Sequence, residues 1–67
     1  MTAFTAAQLA EEADREVKQR IKVYERLVER RVMTRGAANE KIAMMKEIAR
    51  RLHAEAQQDP RGNGLLL

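Results

Sequence analysis

Apolar residues recur at helical spacing in two stretches that only a few residues separate. The first stretch consists of Leu9, Ala13, Val17, Ile21, Tyr24 and Val28. The second stretch consists of Ala38, Ile42, Met45, Ala49, Leu52 and Ala56. Steps of three and four residues place side chains on one face of an α-helix. The pattern therefore predicts two amphipathic helices, at residues 6–30 and 35–57.

The predicted connection, residues 31–34, is short. A connection of this length makes two helices antiparallel neighbours. We therefore predict an all-α fold, an antiparallel two-helix hairpin. If the turn centres on Val32 and Met33, residues that face each other have numbers that sum to about 65 or 66, which pairs Tyr24 with Ile42.

Local signals indicate where each helix begins and ends. Thr5 and Gln8 have the spacing of a capping box, and Phe4 and Leu9 have the spacing of a hydrophobic staple around it. Residues 1–5 are thus a cap segment. Thr34 is the predicted N-cap of the second helix. Asp59 and Pro60 stop that helix, so residues 58–67 are predicted to be a disordered tail.

Charged residues within the helices and the absence of glycine after the first helix add detail to the predicted hairpin. We expect ion pairs at i,i+4 spacing, and they are Glu11–Arg15, Asp14–Lys18, Glu16–Arg20 and Glu47–Arg51. The first helix has no glycine at its C-terminal end, where a left-handed residue commonly ends a helix. We therefore expect either a strained left-handed residue within 30–33 or a 3₁₀ ending.

The chain is too small to bury a large core. It has 67 residues, no cysteine and one histidine, His53, so it contains neither a disulfide nor the ligands of a zinc site. Small chains without such links commonly gain stability from a partner chain. We therefore expect a partner, either a second copy that completes a four-helix bundle or another protein.

Some apolar residues lie to one side of the two predicted seams. They are Val23, Leu27, Met44 and Ile48. Two helices cannot bury both their seams and these residues between themselves. Spare apolar surface of this kind is typical of an association face, so we predict that these residues bind the partner.

Basic residues of the first helix also recur at steps of three and four. They are Arg15, Lys18, Lys22, Arg26 and Arg30, and the net charge of the chain is +3. A basic stripe is one feature of nucleic-acid-binding proteins. However, Glu12, Glu25 and Glu29 flank the stripe, and no aromatic residue interleaves with it for base stacking. A solvated face, weak nucleic-acid binding and an acidic protein partner therefore remain alternatives.

The composition argues against an enzyme. The chain has neither Ser nor Cys, and its threonines are placed as cap and terminal residues. His53 and Glu55 are two positions apart and point to different sides of a helix. The glycines do not form a phosphate-binding pattern. We therefore expect no catalytic residue, metal, cofactor or small-molecule ligand. No apolar run approaches the length of a membrane span, so we expect a cytoplasmic protein that does not bind membranes.

The middle of the chain contains a recognisable pattern. Arg-x-x-Val-Tyr-x-Arg-x-Val occupies residues 20–28, and Met33-Thr34 and Ile42-Ala43-x-Met45-x-x-Ile48 follow it. This pattern resembles that of a group of short helical-hairpin proteins of phages and prophages. The resemblance covers residues 20–48 and implies a phage-related accessory protein. Together, these observations predict a non-enzymatic protein–protein interaction module.

Overall fold

The computed structural model describes residues 3–58, and it contains two α-helices. Helix α1 spans Ala6–Glu29, helix α2 spans Arg35–Gln58, and a turn at residues 30–34 joins them. The predicted bounds differ from these by one residue at the C-terminal end of each helix. No strand occurs within residues 3–58, so the all-α fold class is confirmed for this part of the chain.

The predicted disordered tail begins one residue too early, because Gln58 is the last residue of α2. The other residues of that tail, 59–67, lie outside the described residues. The same holds for the first two residues of the predicted cap segment.

Two side-chain contacts between the helices, one of them an ion pair, show that α2 runs back along α1. Near the turn, Arg35 Nη2 donates to Glu25 Oε2 at 2.8 Å. Farther from the turn, His53 Nε2 lies 2.7 Å from Asp14 Oδ2, although the two residues are 39 positions apart. The antiparallel hairpin follows from these contacts. The predicted pairing of Tyr24 with Ile42 stays a prediction.

Alanine forms the centre of the interface between the helices. The buried apolar residues of the described chain are Ala6, Ala10, Ala13, Ala38 and Ala49. The distance between two packed helices depends on the side chains at their contact, so methyl groups permit a close approach. Larger side chains of the predicted seams are half-buried beside these alanines, and they are Val17, Tyr24, Val28, Ile42, Met45 and Leu52.

The predicted seam of α1 is wrong at two positions. Leu9 is 44% exposed and Ile21 is 40% exposed. Each step of four residues rotates a side chain by about 40° around a helix, so three such steps place Leu9 and Ile21 about 120° apart. They therefore flank the interface on opposite sides. Ala6 and Ala10, which the predicted seam leaves out, are buried instead.

The start of α1 has the predicted capping box. The backbone N–H of Gln8 donates to Thr5 Oγ1 at 3.1 Å, and the backbone N–H of Thr5 donates to Gln8 Oε1 at 2.9 Å. Thr34 caps α2 in the same way, since its Oγ1 accepts from the N–H of Ala37 at 3.1 Å. Both caps satisfy backbone donors that a helix start leaves without partners.

A left-handed residue ends α1. Arg31 has a φ of 63°. The N–H of Arg31 donates to Val28 O at 3.0 Å, and the N–H of Val32 donates to Leu27 O at 2.9 Å. These two bonds are the pattern of a Schellman motif, which satisfies the last carbonyls of a helix. The first of the two predicted endings is therefore observed, with arginine in a position that favours glycine.

Candidate protein-binding face

The Arg35–Glu25 ion pair and the His53–Asp14 contact define a polar face of the hairpin. Arg35 donates twice to Glu25, at 3.1 Å and 2.8 Å, and the half-exposed side chains of His53 and Asp14 meet farther along. Hydrogen bonding from Arg35 lowers the pKa of the Glu25 carboxyl. A shallow groove on this face runs past Asp14 and His53 and past the cation of Lys46. It is an open surface groove and does not enclose a substrate.

The four predicted association residues lie on the opposite side of the hairpin. At about 100° per residue, Val23 lies about 180° around α1 from Asp14, and Met44 lies about 180° around α2 from His53. By the same measure, Leu27 is about 140° from Asp14 and Ile48 is about 140° from His53. Since Asp14 and His53 meet on the polar face, these apolar residues share the other one. We call Val23, Leu27, Met44 and Ile48 the apolar face.

Much of the apolar face is open to solvent. Met44 is 53% exposed, Ile48 is 49% exposed and Val23 is 38% exposed, whereas Leu27 is half-buried. Leu9 lies at the same angle around α1 as Leu27, because their separation of 18 residues is five whole helical turns. The exposed Leu9 therefore extends the apolar face toward the start of α1.

A charged cluster borders the apolar face on α2. Glu47 and Arg51 line a shallow groove together with Met44 and Ile48. Arg50 donates to Glu47 at 2.6 Å and 2.9 Å, and Arg51 donates to the same carboxylate at 2.9 Å. These hydrogen bonds, first those from Arg50, lower the pKa of Glu47 to about 2. The rim of the groove is therefore held in place by paired charges.

The basic stripe occupies the outer edge of α1. Its central residue, Lys22, lies about 160° around the helix from the buried Ala6. All five stripe residues are exposed, and they are Arg15, Lys18, Lys22, Arg26 and Arg30. Arg15 lies 3.6 Å from Glu12, while the other four form no ion pair within residues 3–58. The stripe therefore presents cations that no neighbouring carboxylate holds.

Other predicted charge contacts have mixed outcomes. Arg20 Nε donates to Glu16 Oε2 at 2.9 Å, which confirms that pair, and the Glu47–Arg51 pair is also present. Asp14 contacts His53 rather than Lys18. Spacing within a helix predicts contacts along that helix, whereas the contact of Asp14 with His53 depends on how the two helices pack.

Within residues 3–58, His, Asp and Glu side chains do not gather in groups that could hold a metal ion. Neither described helix has the long apolar stretch that crossing a membrane requires.

The fold and its surface define a small helical hairpin with one polar face, one apolar face and a basic outer edge. Comparison with protein families, curated proteins and solved structures finds no match for this chain.

Proposed function

We propose that this protein is a non-enzymatic protein–protein interaction module that pairs with a second copy of itself through the apolar face and forms a four-helix bundle. The observation that carries the proposal is the position of Val23, Met44 and Ile48, which are exposed together on the side opposite the polar face. Contiguous exposed apolar surface is characteristic of interaction sites.

The side of the hairpin that contains the apolar face is large enough for a stable dimer interface. Each helix has 24 residues, so the whole face of the hairpin on this side is about 35 Å long and about 20 Å wide across two helices. Covering such a face buries about 700 Å² on each copy, or about 1,400 Å² in total, which lies within the range of stable protein interfaces.

The alanine interface explains why a partner would stabilise the hairpin. A buried methyl group contributes on the order of 0.8 kcal/mol, whereas ordering the backbone of one residue costs about 1–2 kcal/mol. Small buried side chains such as Ala10 and Ala38 therefore provide little free energy for folding. Burial of Met44 and Ile48 against a second copy would add the free energy of burying larger side chains.

Analytical ultracentrifugation over a dilution series tests this proposal, with circular dichroism to measure helicity. We expect a reversible monomer–dimer equilibrium. Ile48→Lys should weaken the dimer by more than about tenfold, because it places a charge in the interface. Ile21→Lys is the matched control, since Ile21 is similarly exposed but lies on the other side of the helix interface. A fully helical monomer at every concentration would falsify the proposal.

A second candidate function is nucleic-acid binding through the basic stripe, and the four stripe cations without an ion pair favour it. Binding to phosphates releases counterions, so the affinity should fall steeply with salt. Lys22→Glu combined with Arg26→Glu should abolish the binding, whereas Lys46→Glu on α2 should change it little. Absence of binding at low salt rules this candidate out.

The resemblance to phage and prophage proteins supports an accessory role in a phage context. It covers residues 20–48, a range that includes all four residues of the apolar face. Phage genes on both sides of the coding sequence would support this role, and a position among unrelated cellular genes would contradict it.

A further inference from the structure

Each helix carries a charge, an apolar residue and the opposite charge along the apolar face. Along α1 and its C-cap these are Glu16, Val23 and Arg30, and on α2 they are Lys41, Ile48 and Glu55. Successive members are seven residues apart, and seven residues deviate from two full helical turns by only about 20°. Each set therefore forms one line along its helix.

The antiparallel fold aligns the charges of the two lines. We call the end where α1 begins and α2 ends the open end of the hairpin. Since α2 runs back along α1, Glu16 and Glu55 lie toward the open end, and Arg30 and Lys41 lie toward the turn. The two lines are therefore both negative toward the open end and both positive toward the turn.

We infer that two copies pair with their turns at opposite ends, so that α1 faces α1 and α2 faces α2 of the second copy. This inference rests on the proposed dimer and adds its orientation. The arrangement places Glu16 opposite Arg30 of the second copy and Lys41 opposite Glu55 of the second copy. Every such contact occurs twice, as two-fold symmetry requires.

The two apolar members lie near the symmetry axis of this dimer. Val23 faces Val23 of the second copy, and Ile48 faces Ile48. In the antiparallel register, Val23 and Ile48 differ in height along the hairpin by about 7 Å. A two-fold axis midway between these heights lies about 3.5 Å from each, so each residue is offset from its symmetry mate by about 7 Å along the helix.

The opposite orientation brings like charges together. If both turns lay at the same end, α1 would face α2 of the second copy. Glu16 would then lie toward Glu55, and Arg30 toward Lys41. Like charges brought together across an interface disfavour an arrangement and so determine orientation.

Charge reversal on α2 tests the orientation more cleanly than charge reversal on α1. Glu16 already accepts a hydrogen bond from Arg20, so changing it would also alter α1. Lys41 and Glu55 are exposed and form no ion pair within residues 3–58.

Single cysteines distinguish the two orientations, because the chain has no cysteine of its own. With a short bismaleimide crosslinker, which tolerates an offset of about 7 Å between the two copies of residue 23 where a disulfide would not, Val23→Cys should form a covalent dimer that keeps its helicity. Ile21→Cys is the control, because Ile21 lies on the other side of the helix interface, and this variant should form little covalent dimer. In the orientation with both turns together, Val23→Cys would instead crosslink to Met44→Cys in a mixture of the two variants. That result would overturn the inference.

Charge reversal gives an independent readout by sedimentation. Lys41→Glu or Glu55→Lys alone should weaken the dimer by about tenfold, and the double exchange should restore it to within about threefold. In the alternative orientation, Lys41→Glu would move a carboxylate toward Arg30 of the second copy and tighten the dimer. Tightening therefore refutes the inferred orientation and leaves the proposed dimer intact, whereas a monomeric wild type refutes both.

Discussion

His53 Nε2 lies 2.7 Å from Asp14 Oδ2, and this contact joins the two helices far from their turn. The residues are 39 positions apart, so the contact forms only when α2 runs back along α1 in the observed register. Both side chains are half-exposed. Side-chain contacts that are exposed to solvent contribute little to stability, so this contact is more informative about register than about stability.

A double-mutant cycle tests this register. Asp14→Ala, His53→Ala and the double variant should show a coupling of about 0.2–1 kcal/mol in urea unfolding, because the pair is exposed to solvent. Glu11→Ala combined with His53→Ala is the control and should be additive. Additivity in both cycles would show that His53 and Asp14 do not meet in solution.

The helix ends of this protein could be predicted because their signals are local. The capping box of Thr5 and Gln8 involves residues three positions apart, and so does the cap at Thr34. The Glu16–Arg20 ion pair likewise depends only on helical spacing. In each case the partners are fixed by the geometry of a single helix.

The residues that the sequence did not predict depend on how the helices pack. Ala6 and Ala10 have low hydrophobicity, and they are buried because they lie on the side of α1 that packs against α2. The partner of Asp14 changes from Lys18 to His53 for the same reason. The residues of the apolar face could be listed from spacing, whereas their position opposite the polar face required the register of the hairpin.

The left-handed conformation of Arg31 predicts a stabilising substitution. Its φ of 63° is costly for a residue with a Cβ atom, so Arg31→Gly should stabilise the protein by about 0.5–1 kcal/mol. The neighbouring Arg30 has a φ of −82°, and Arg30→Gly should be destabilising by a similar amount. Urea unfolding at one protein concentration measures both. Destabilisation by both substitutions would contradict a left-handed Arg31.

The alanine interface predicts that larger side chains are not tolerated there. Ala10 is buried against α2, so Ala10→Leu should destabilise the hairpin by about 1–3 kcal/mol through overpacking. Ala43 is exposed on α2, and Ala43→Leu should change the free energy of unfolding by less than about 0.5 kcal/mol. Thermal and urea unfolding of both variants make the comparison. Equal effects would mean that the helices are not in close contact at Ala10.

The low pKa of Glu47 predicts a dependence of stability on pH. Hydrogen bonds from Arg50 and Arg51 lower this pKa from 4.5 to about 2 in the folded chain. A carboxyl whose pKa is depressed by folding stabilises the protein above its unfolded pKa, and this contribution is lost as the pH falls through the folded pKa. The contribution of Glu47 should therefore be complete above pH 4.5 and disappear by about pH 2.

Thermal unfolding of the wild type and of Glu47→Gln at a series of pH values measures this contribution. The wild type should have the higher Tm above pH 4.5. Its advantage over Glu47→Gln should shrink as the pH falls toward 2, where a protonated glutamate resembles glutamine. Glu40→Gln is the matched control, because Glu40 is an exposed carboxylate of the same helix that forms no ion pair within residues 3–58. If the Glu47→Gln difference stayed constant over this pH range, the two arginines would not hold the carboxylate in solution.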